Sequence, residues 1–186
     1  MTKVFVTGAS GFIAKHIVRE LLESGYDVRA SVRSERRKDE LQGLFPDAKL
    51  EFATLDLTKD EGWQEALQNC DVLMHTASPF PAGEPKDPQE LIRPAVDGTL
   101  RAMRAAKDAG IKRVILTSSC AAIYKQSDKP KMTPSDETYW TSPDDPSVGA
   151  YEASKTLAEK AAWDFVAENP DIALTTINPG AVFGPP

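Results

Sequence analysis

Residues 4–17 read V-F-V-T-G-A-S-G-F-I-A-K-H-I. Three apolar residues run into Gly8 and Gly11, and Ala14 stands where a dinucleotide-binding turn would carry a third glycine. The apolar run predicts a strand. Ile13, Ile17 and Leu21, with Val18 and Leu22 beside them, predict a helix with one apolar stripe, and Gly25 closes it. Gly8 permits the tight turn, and Gly11 lets backbone N–H groups approach a pyrophosphate at the helix's positive end. The third position needs only a side chain small enough for helix and strand to pack closely, and alanine meets that need.

The same alternation continues along the chain. Short apolar runs at 28–32, 50–53, 72–74, 114–116 and 174–177 predict five more strands, several of them apolar throughout, as in parallel strands covered on both faces. Helices are predicted at 88–108, where Pro94 should kink or locally break the helix, and at 148–168, ended by Asn169-Pro170. Six strands alternating with helices predict an α/β fold, a Rossmann-type doubly wound parallel sheet with helices on both faces. The long irregular segment 125–147, rich in Pro, Ser, Asp and Lys, reads as a functional lid or insertion.

The 186 residues suit one domain, and a net charge of −6 gives nucleic-acid binding little electrostatic support. Apolar runs are far shorter than a membrane span and no leader precedes the first strand, so a cytoplasmic protein without a membrane partner is expected. Cys70 and Cys120 read as reduced, mostly buried thiols. His16 and His75 lack acidic or Cys partners nearby, so no metal site is expected. Trp63, Trp140 and Trp163 read as packing residues, with Trp140 placed to touch a substrate from the long loop.

Past the second strand, an acidic residue would hold the ribose 2′-OH of NAD. This chain has Ser31-Val32-Arg33-Ser34 there, followed by Arg36, Arg37 and Lys38. A guanidinium suits a 2′-phosphate by charge and bidentate geometry, so the cofactor expected is NADP. A solvated basic helix start is the other reading of this cluster, and Glu35 supports it.

Tyr151-Glu152-Ala153-Ser154-Lys155 puts a phenol and an ammonium on one helix face, and Thr117-Ser118-Ser119 ends the fifth strand. Ligands of open α/β sheets bind at the C-terminal strand ends, so hydroxyl, phenol and ammonium converge. Carbonyl reduction needs a hydride on carbon and a proton on oxygen. A free tyrosine has a pKa of about 10 and is a sluggish donor at neutral pH, which a neighbouring ammonium corrects. Ser119 would then hold the carbonyl oxygen.

With T-G-A-S-G-F-I-A, S-V-R-S, H-T-A-S-P-F, L-T-S-S, Y-E-A-S-K and N-P-G-A-V-F-G-P in this order, the chain resembles the extended short-chain dehydrogenase/reductases, in their dihydroflavonol-reductase-like branch of ketone and aldehyde reductases. The resemblance implies Ser119, Tyr151 and Lys155 as catalytic residues and an NADPH-dependent reduction of an aldehyde or ketone. It implies cofactor contacts from Gly8, Gly11, Phe12 and Ile13 at the pyrophosphate, and from Arg33 with Arg37 at the 2′-phosphate. Asp56 and Leu57 would contact adenine, Asp56 having a helix-cap role before Thr58 as its other reading. Thr76, Ala77 and Ser78 would line the path past the nicotinamide, with Pro179, Gly180 and Val182 packed on its far end. Tyr151 and Lys155 would also touch the cofactor.

Members of the resembled family continue past Gly184-Pro185-Pro186 into a substrate-binding region. Residues 1–186 are therefore expected to be the NADP-binding Rossmann domain, the N-terminal part of a longer enzyme, with weak or no turnover alone. A monomer or homodimer is the family-level expectation. Two other readings stand beside the reductase. One is an NAD-dependent nucleotide-sugar epimerase or dehydratase, which commonly carries an acidic residue where Arg33 stands. The other is a non-catalytic dinucleotide sensor, against which Ser119, Tyr151 and Lys155 argue.

Overall fold

A computed structural model describes residues 1–80, 83, 85–125 and 134–185. Its strands are β1 (Lys3–Val6), β2 (Asp27–Val32), β3 (Glu51–Thr54), β4 (Val72–His75), β5 (Arg113–Thr117) and β6 (Ala173–Ile177). All pair in parallel, in the order β3-β2-β1-β4-β5-β6. Five helices connect them: α1 (Phe12–Glu23), α2 (Glu35–Leu44), α3 (Trp63–Leu67), α4 (Gln89–Asp108) and α5 (Ala150–Glu168). This is the expected doubly wound sheet. The chain order reverses between β1 and β4, which opens a crevice at their C-terminal ends.

β1 shows why the sheet carries helices on both sides. Val4 and Val6 pack with Ala14, Val18 and Leu41 of α1 and α2, whereas Phe5 packs with Leu67, Ala102, Met103 and other residues of α3 and α4. Alternate side chains of a strand point to opposite faces, so an apolar run must be covered twice. Right-handed crossovers put α1 and α2 on one face and α3, α4 and α5 on the other, because the winding direction changes at β1. Phe5 is fully buried, and a side chain of that size contributes about 1.5–3 kcal/mol on leaving water.

The predicted strands and the three predicted helices form within a residue or two of their expected ends. Pro94 does not break the helix, since α4 runs from Gln89 to Asp108 across it. Proline there removes the N–H that the Glu90 carbonyl would accept, but Glu90 lies exposed in the first turn, where solvent can replace the bond. Of the 125–147 segment, residues 126–133 lie outside the described residues, as does Pro186. The remainder of that segment is anchored by buried Thr141. Its hydroxyl donates to the Ala121 carbonyl at 2.7 Å and accepts the Lys125 N–H at 3.1 Å.

Candidate active site

The glycine turn is held from two sides. Gly8 has φ +61°, and its N–H donates to Ser31 Oγ at 3.0 Å while the Ala9 N–H donates to the Ser31 carbonyl at 2.9 Å. A β-carbon on Gly8 would stand 3.0 Å from both Cα and Cβ of Ala77, so the turn closes against the end of β4 because glycine is there. A β-carbon on Gly11 would meet the Gly8 carbonyl oxygen at 3.2 Å. Gly11 is the N-cap of α1 but offers no side chain, and the first turn of α1 holds no acidic residue. The free N–H groups and positive end of α1 therefore remain available to an anion.

Thr7, which the sequence reading did not single out, organises the next layer. It is fully buried, and its Oγ1 accepts the N–H groups of Thr76 and Ala77, each at 3.0 Å. With both lone pairs used, its O–H donates to His75 Nδ1 at 2.9 Å, which leaves the neutral imidazole's proton on Nε2. Burial, with a smaller effect from the Lys155 charge, pushes the His75 pKa down to about 3. His75 Nε2 and Thr76 Oγ1 are buried and have no partner among the described residues, and Thr76 borders the site cavity.

That cavity, of about 990 Å³, runs along the C-terminal strand ends from Arg33 and Arg37 past the glycine turn to Tyr151. It is lined by Gly8, Gly11, Phe12, Ile13, Arg33, Arg37, Asp56, Leu57, Thr76, Ala77, Ser78, Ser119, Tyr151, Lys155, Gly180 and Val182. Pro179 alone among the expected catalytic and cofactor-contact residues does not line it. Its carbonyl instead accepts the Cys120 N–H at 2.9 Å, which ties the chain beyond β6 to the end of β5. Arg33 follows β2 and Ser119 follows β5, three strand spacings apart in the sheet, or about 14 Å.

The charged residues at the β2 end differ in their freedom. Arg37 donates to Glu40 Oε2 at 2.7 Å, Arg36 to Glu40 Oε1 at 3.1 Å, and Lys38 to Glu35 at 2.9 Å. Arg33 borders the cavity and makes no hydrogen bond or ion pair with the described residues, so its donors remain available. Ser34 caps α2 by accepting the Arg37 N–H at 3.4 Å. Asp56 caps no helix. Its Oδ1 accepts the Thr58 N–H at 2.8 Å and the Thr58 hydroxyl at 2.7 Å, and these bonds hold the carboxyl below its usual range.

At the other end, Lys155 is 8% exposed and its ammonium lies 5.8 Å from the centroid of the Tyr151 ring. Burial pushes the Lys155 pKa down to about 8, against the attraction of Glu159. Ser119 caps the 3₁₀ turn Cys120–Ala122, its Oγ accepting the Ala121 N–H at 3.1 Å. Phe80 meets Tyr151 edge to face, with centroids 5.6 Å apart.

Three further expectations need revision. Cys120 is only partly buried and borders the cavity, because it follows the strand end that opens there. Trp140 does not line the cavity, and its ring lies 5.2 Å from the Lys160 ammonium instead. Trp163 is 38% exposed, and its indole N–H donates to Glu159 at 3.4 Å. Among the described residues no cluster of three or more His, Cys, Asp or Glu side chains could hold a metal, and no helix is long and apolar enough to cross a membrane.

Residues 4–186 match the model of the NAD dependent epimerase/dehydratase family. The chain belongs to that family. Within it, the chain is 44% identical over 193 residues to cinnamoyl-CoA reductase CAD2 of Medicago truncatula, covering 98% of this chain and 58% of that protein. It is 38% identical over 202 residues to the NADPH-dependent methylglyoxal reductase GRE2 of Saccharomyces cerevisiae, with coverages of 98% and 58%. Its fold superposes on Gre2 of Candida albicans, solved in complex with NADPH, with a TM-score of 0.88 and 36% identity over 100% of this chain and 59% of that one. The chain thus spans less than two thirds of the length of these family members.

Ser31, Thr7, Glu159 and Asn178, whose Nδ2 donates to the Ser119 carbonyl at 3.1 Å, are the residues around the site whose roles sequence reasoning passed over. Glu159 had a legible signal, a carboxylate one turn beyond Lys155 on the same helix face. The other three act on backbone groups of distant segments, which spacing along the chain does not reveal.

Proposed function

We propose that this chain is the cofactor-binding and proton-donating part of an NADPH-dependent reductase of aldehydes or ketones. One observation carries the reading: Ser119, Tyr151 and a buried lysine border the same cavity as the glycine turn, and an unpaired arginine stands at its other end. The residues fit a dinucleotide. The Gly8–Gly11 turn and the uncapped start of α1 would hold the pyrophosphate, the orphan Thr76 Oγ1 would find a partner, and Arg33 would meet the 2′-phosphate.

When bound, NADPH supplies a hydride to the carbonyl carbon. The residues of this chain manage the oxygen. Ser119 Oγ spends a lone pair on Ala121 and keeps its own O–H to donate to the substrate oxygen. Tyr151 gives that oxygen its proton, and the Lys155 ammonium stabilises the phenolate left behind. Lys155 is still mostly charged at neutral pH, because about 8 lies above it. The NAD-dependent epimerase or dehydratase reading is weakened by Arg33, where an acidic residue would be needed to hold a ribose 2′-OH.

The test is calorimetric titration of the full-length enzyme that carries these residues with NADPH and NADH, followed by a panel of aldehydes and ketones with consumption of NADPH measured. NADPH binding much tighter than NADH binding, with turnover of at least one carbonyl compound lost in Tyr151→Phe, is the expected result. Equal affinity for the two cofactors would remove the role given to Arg33. Turnover unaffected by Tyr151→Phe would remove the proposed donor.

A further inference from the structure

Lys155 sits where its charge is hard to keep. It is buried on α5, and desolvation disfavours an ammonium. From β4 its neighbour His75 adds no compensating charge, being neutral at ordinary pH, and the Tyr151 ring lies 5.8 Å away on its own helix. The charge that favours the ammonium is Glu159, one turn further along the same helix face and itself 4% exposed.

Glu159 is held by donors from three directions. Ser118 Oγ, at the end of β5, donates to Oε2 at 2.5 Å, and Asn178 Nδ2, just past β6, donates to the same oxygen at 2.8 Å. Trp163 Nε1 donates to Oε1 at 3.4 Å. An ionised carboxylate only accepts, so these partners suit the anion, and no cation lies within ion-pair distance of it among the described residues. Asn178 Nδ2 also donates to the Ser119 carbonyl at 3.1 Å, so the group that fixes Glu159 fixes the backbone of Ser119 as well.

We infer that Glu159 is a positioning residue for Lys155. Its buried carboxylate, clamped by Ser118, Asn178 and Trp163, keeps the lysine charged beside Tyr151 and locks α5 to the end of β5. The inference rests on the reductase reading for its purpose, since there the charged lysine makes Tyr151 a competent proton donor. Its physical content, a carboxylate that sets the charge of Lys155, can be tested without turnover.

The experiment is an NMR titration of the protein carrying isotope-labelled lysine, with the Lys155 signal identified by its loss in Lys155→Met. In the unaltered protein the midpoint is expected near 8. In Glu159→Gln it is expected about one pH unit or more lower, because the amide keeps the shape and can still accept from Asn178 but carries no charge. Glu159→Asp, which retains the charge at a longer reach, should restore the midpoint at least in part. An unchanged midpoint in folded Glu159→Gln overturns the inference. Should Glu159→Gln not fold, the unaltered protein decides: a Glu159 carboxyl signal of the protonated acid at neutral pH overturns it, and that of a carboxylate upholds it. Because no step of this test uses turnover, its failure leaves the reductase reading standing. An inactive enzyme with the expected titration would fault that reading alone.

Discussion

The Lys155 ammonium stands 5.8 Å from the centroid of the Tyr151 ring, one helical turn further along α5, and both border the same cavity. In the proposed reaction that cation stabilises the phenolate left when Tyr151 gives its proton to the substrate. Burial limits the pH range over which the cation exists. As pH rises through about 8, Lys155 loses its proton and Tyr151 its electrostatic support. Carbonyl reduction should therefore fall on the alkaline side of a pH–rate profile, with a limb near that value. Tyr151→Phe should reduce kcat by about 10²–10⁴-fold while leaving NADPH affinity nearly unchanged.

Arg33 and Arg37 both border the cavity, but Arg37 is already engaged by Glu40 at 2.7 Å. Arg33→Ala should weaken NADPH binding by about 10–100-fold, the worth of charge-assisted hydrogen bonds to one phosphate. NADH affinity should be nearly unaffected. Arg37→Ala should show the smaller loss of the two, read by parallel calorimetry with both cofactors.

The two glycines of the turn separate backbone strain from ligand access. Gly8→Ala must adopt φ +61° and push a methyl group to 3.0 Å from Ala77, so a loss of about 1–3 kcal/mol in urea unfolding is expected. Gly11 has an ordinary φ of −73°, and its β-carbon would meet the Gly8 carbonyl at 3.2 Å. Gly11→Ala should cost less stability but should still weaken NADPH binding, because the methyl group would stand where the proposed pyrophosphate site lies.

His75 should make the fold sensitive to acid. Its pKa falls from 6.5 to about 3 on folding because the ring is buried. Between those values the unfolded chain binds a proton that the native protein does not, so stability is intact above about pH 6.5 and declines as pH falls. One such proton contributes a slope of about 1.4 kcal/mol per pH unit. Urea unfolding across this range should show a shallower slope in His75→Gln than in the unaltered protein.

The architecture was legible in the amino-acid order because each strand is a short apolar run and each long helix has an apolar stripe with a stop. Those patterns are local. The helices α2 and α3 were harder to read, since α2 buries a single side chain, Leu41, and α3 is five residues long. The absence of a break at Pro94 was not legible for a related reason: proline's penalty depends on whether the orphaned carbonyl is buried, and Glu90 is exposed.

By itself, the sequence determined that a glycine turn joins β1 to α1, that arginine rather than an acid follows β2, and that a phenol and an ammonium share one face of α5. Each is a matter of identity and spacing within a few residues. Tertiary structure alone decided that Thr7 and Ser31 hold the turn, that Pro179 braces β5 rather than lining the cavity, and that Ser118 and Asn178 clamp Glu159 beside Lys155. Those groups are up to about seventy residues apart in the chain, or act through backbone atoms common to all residues. They meet because six parallel strands end at one edge of the sheet, where the hydrogen-bonding needs of each strand end are met by its neighbours.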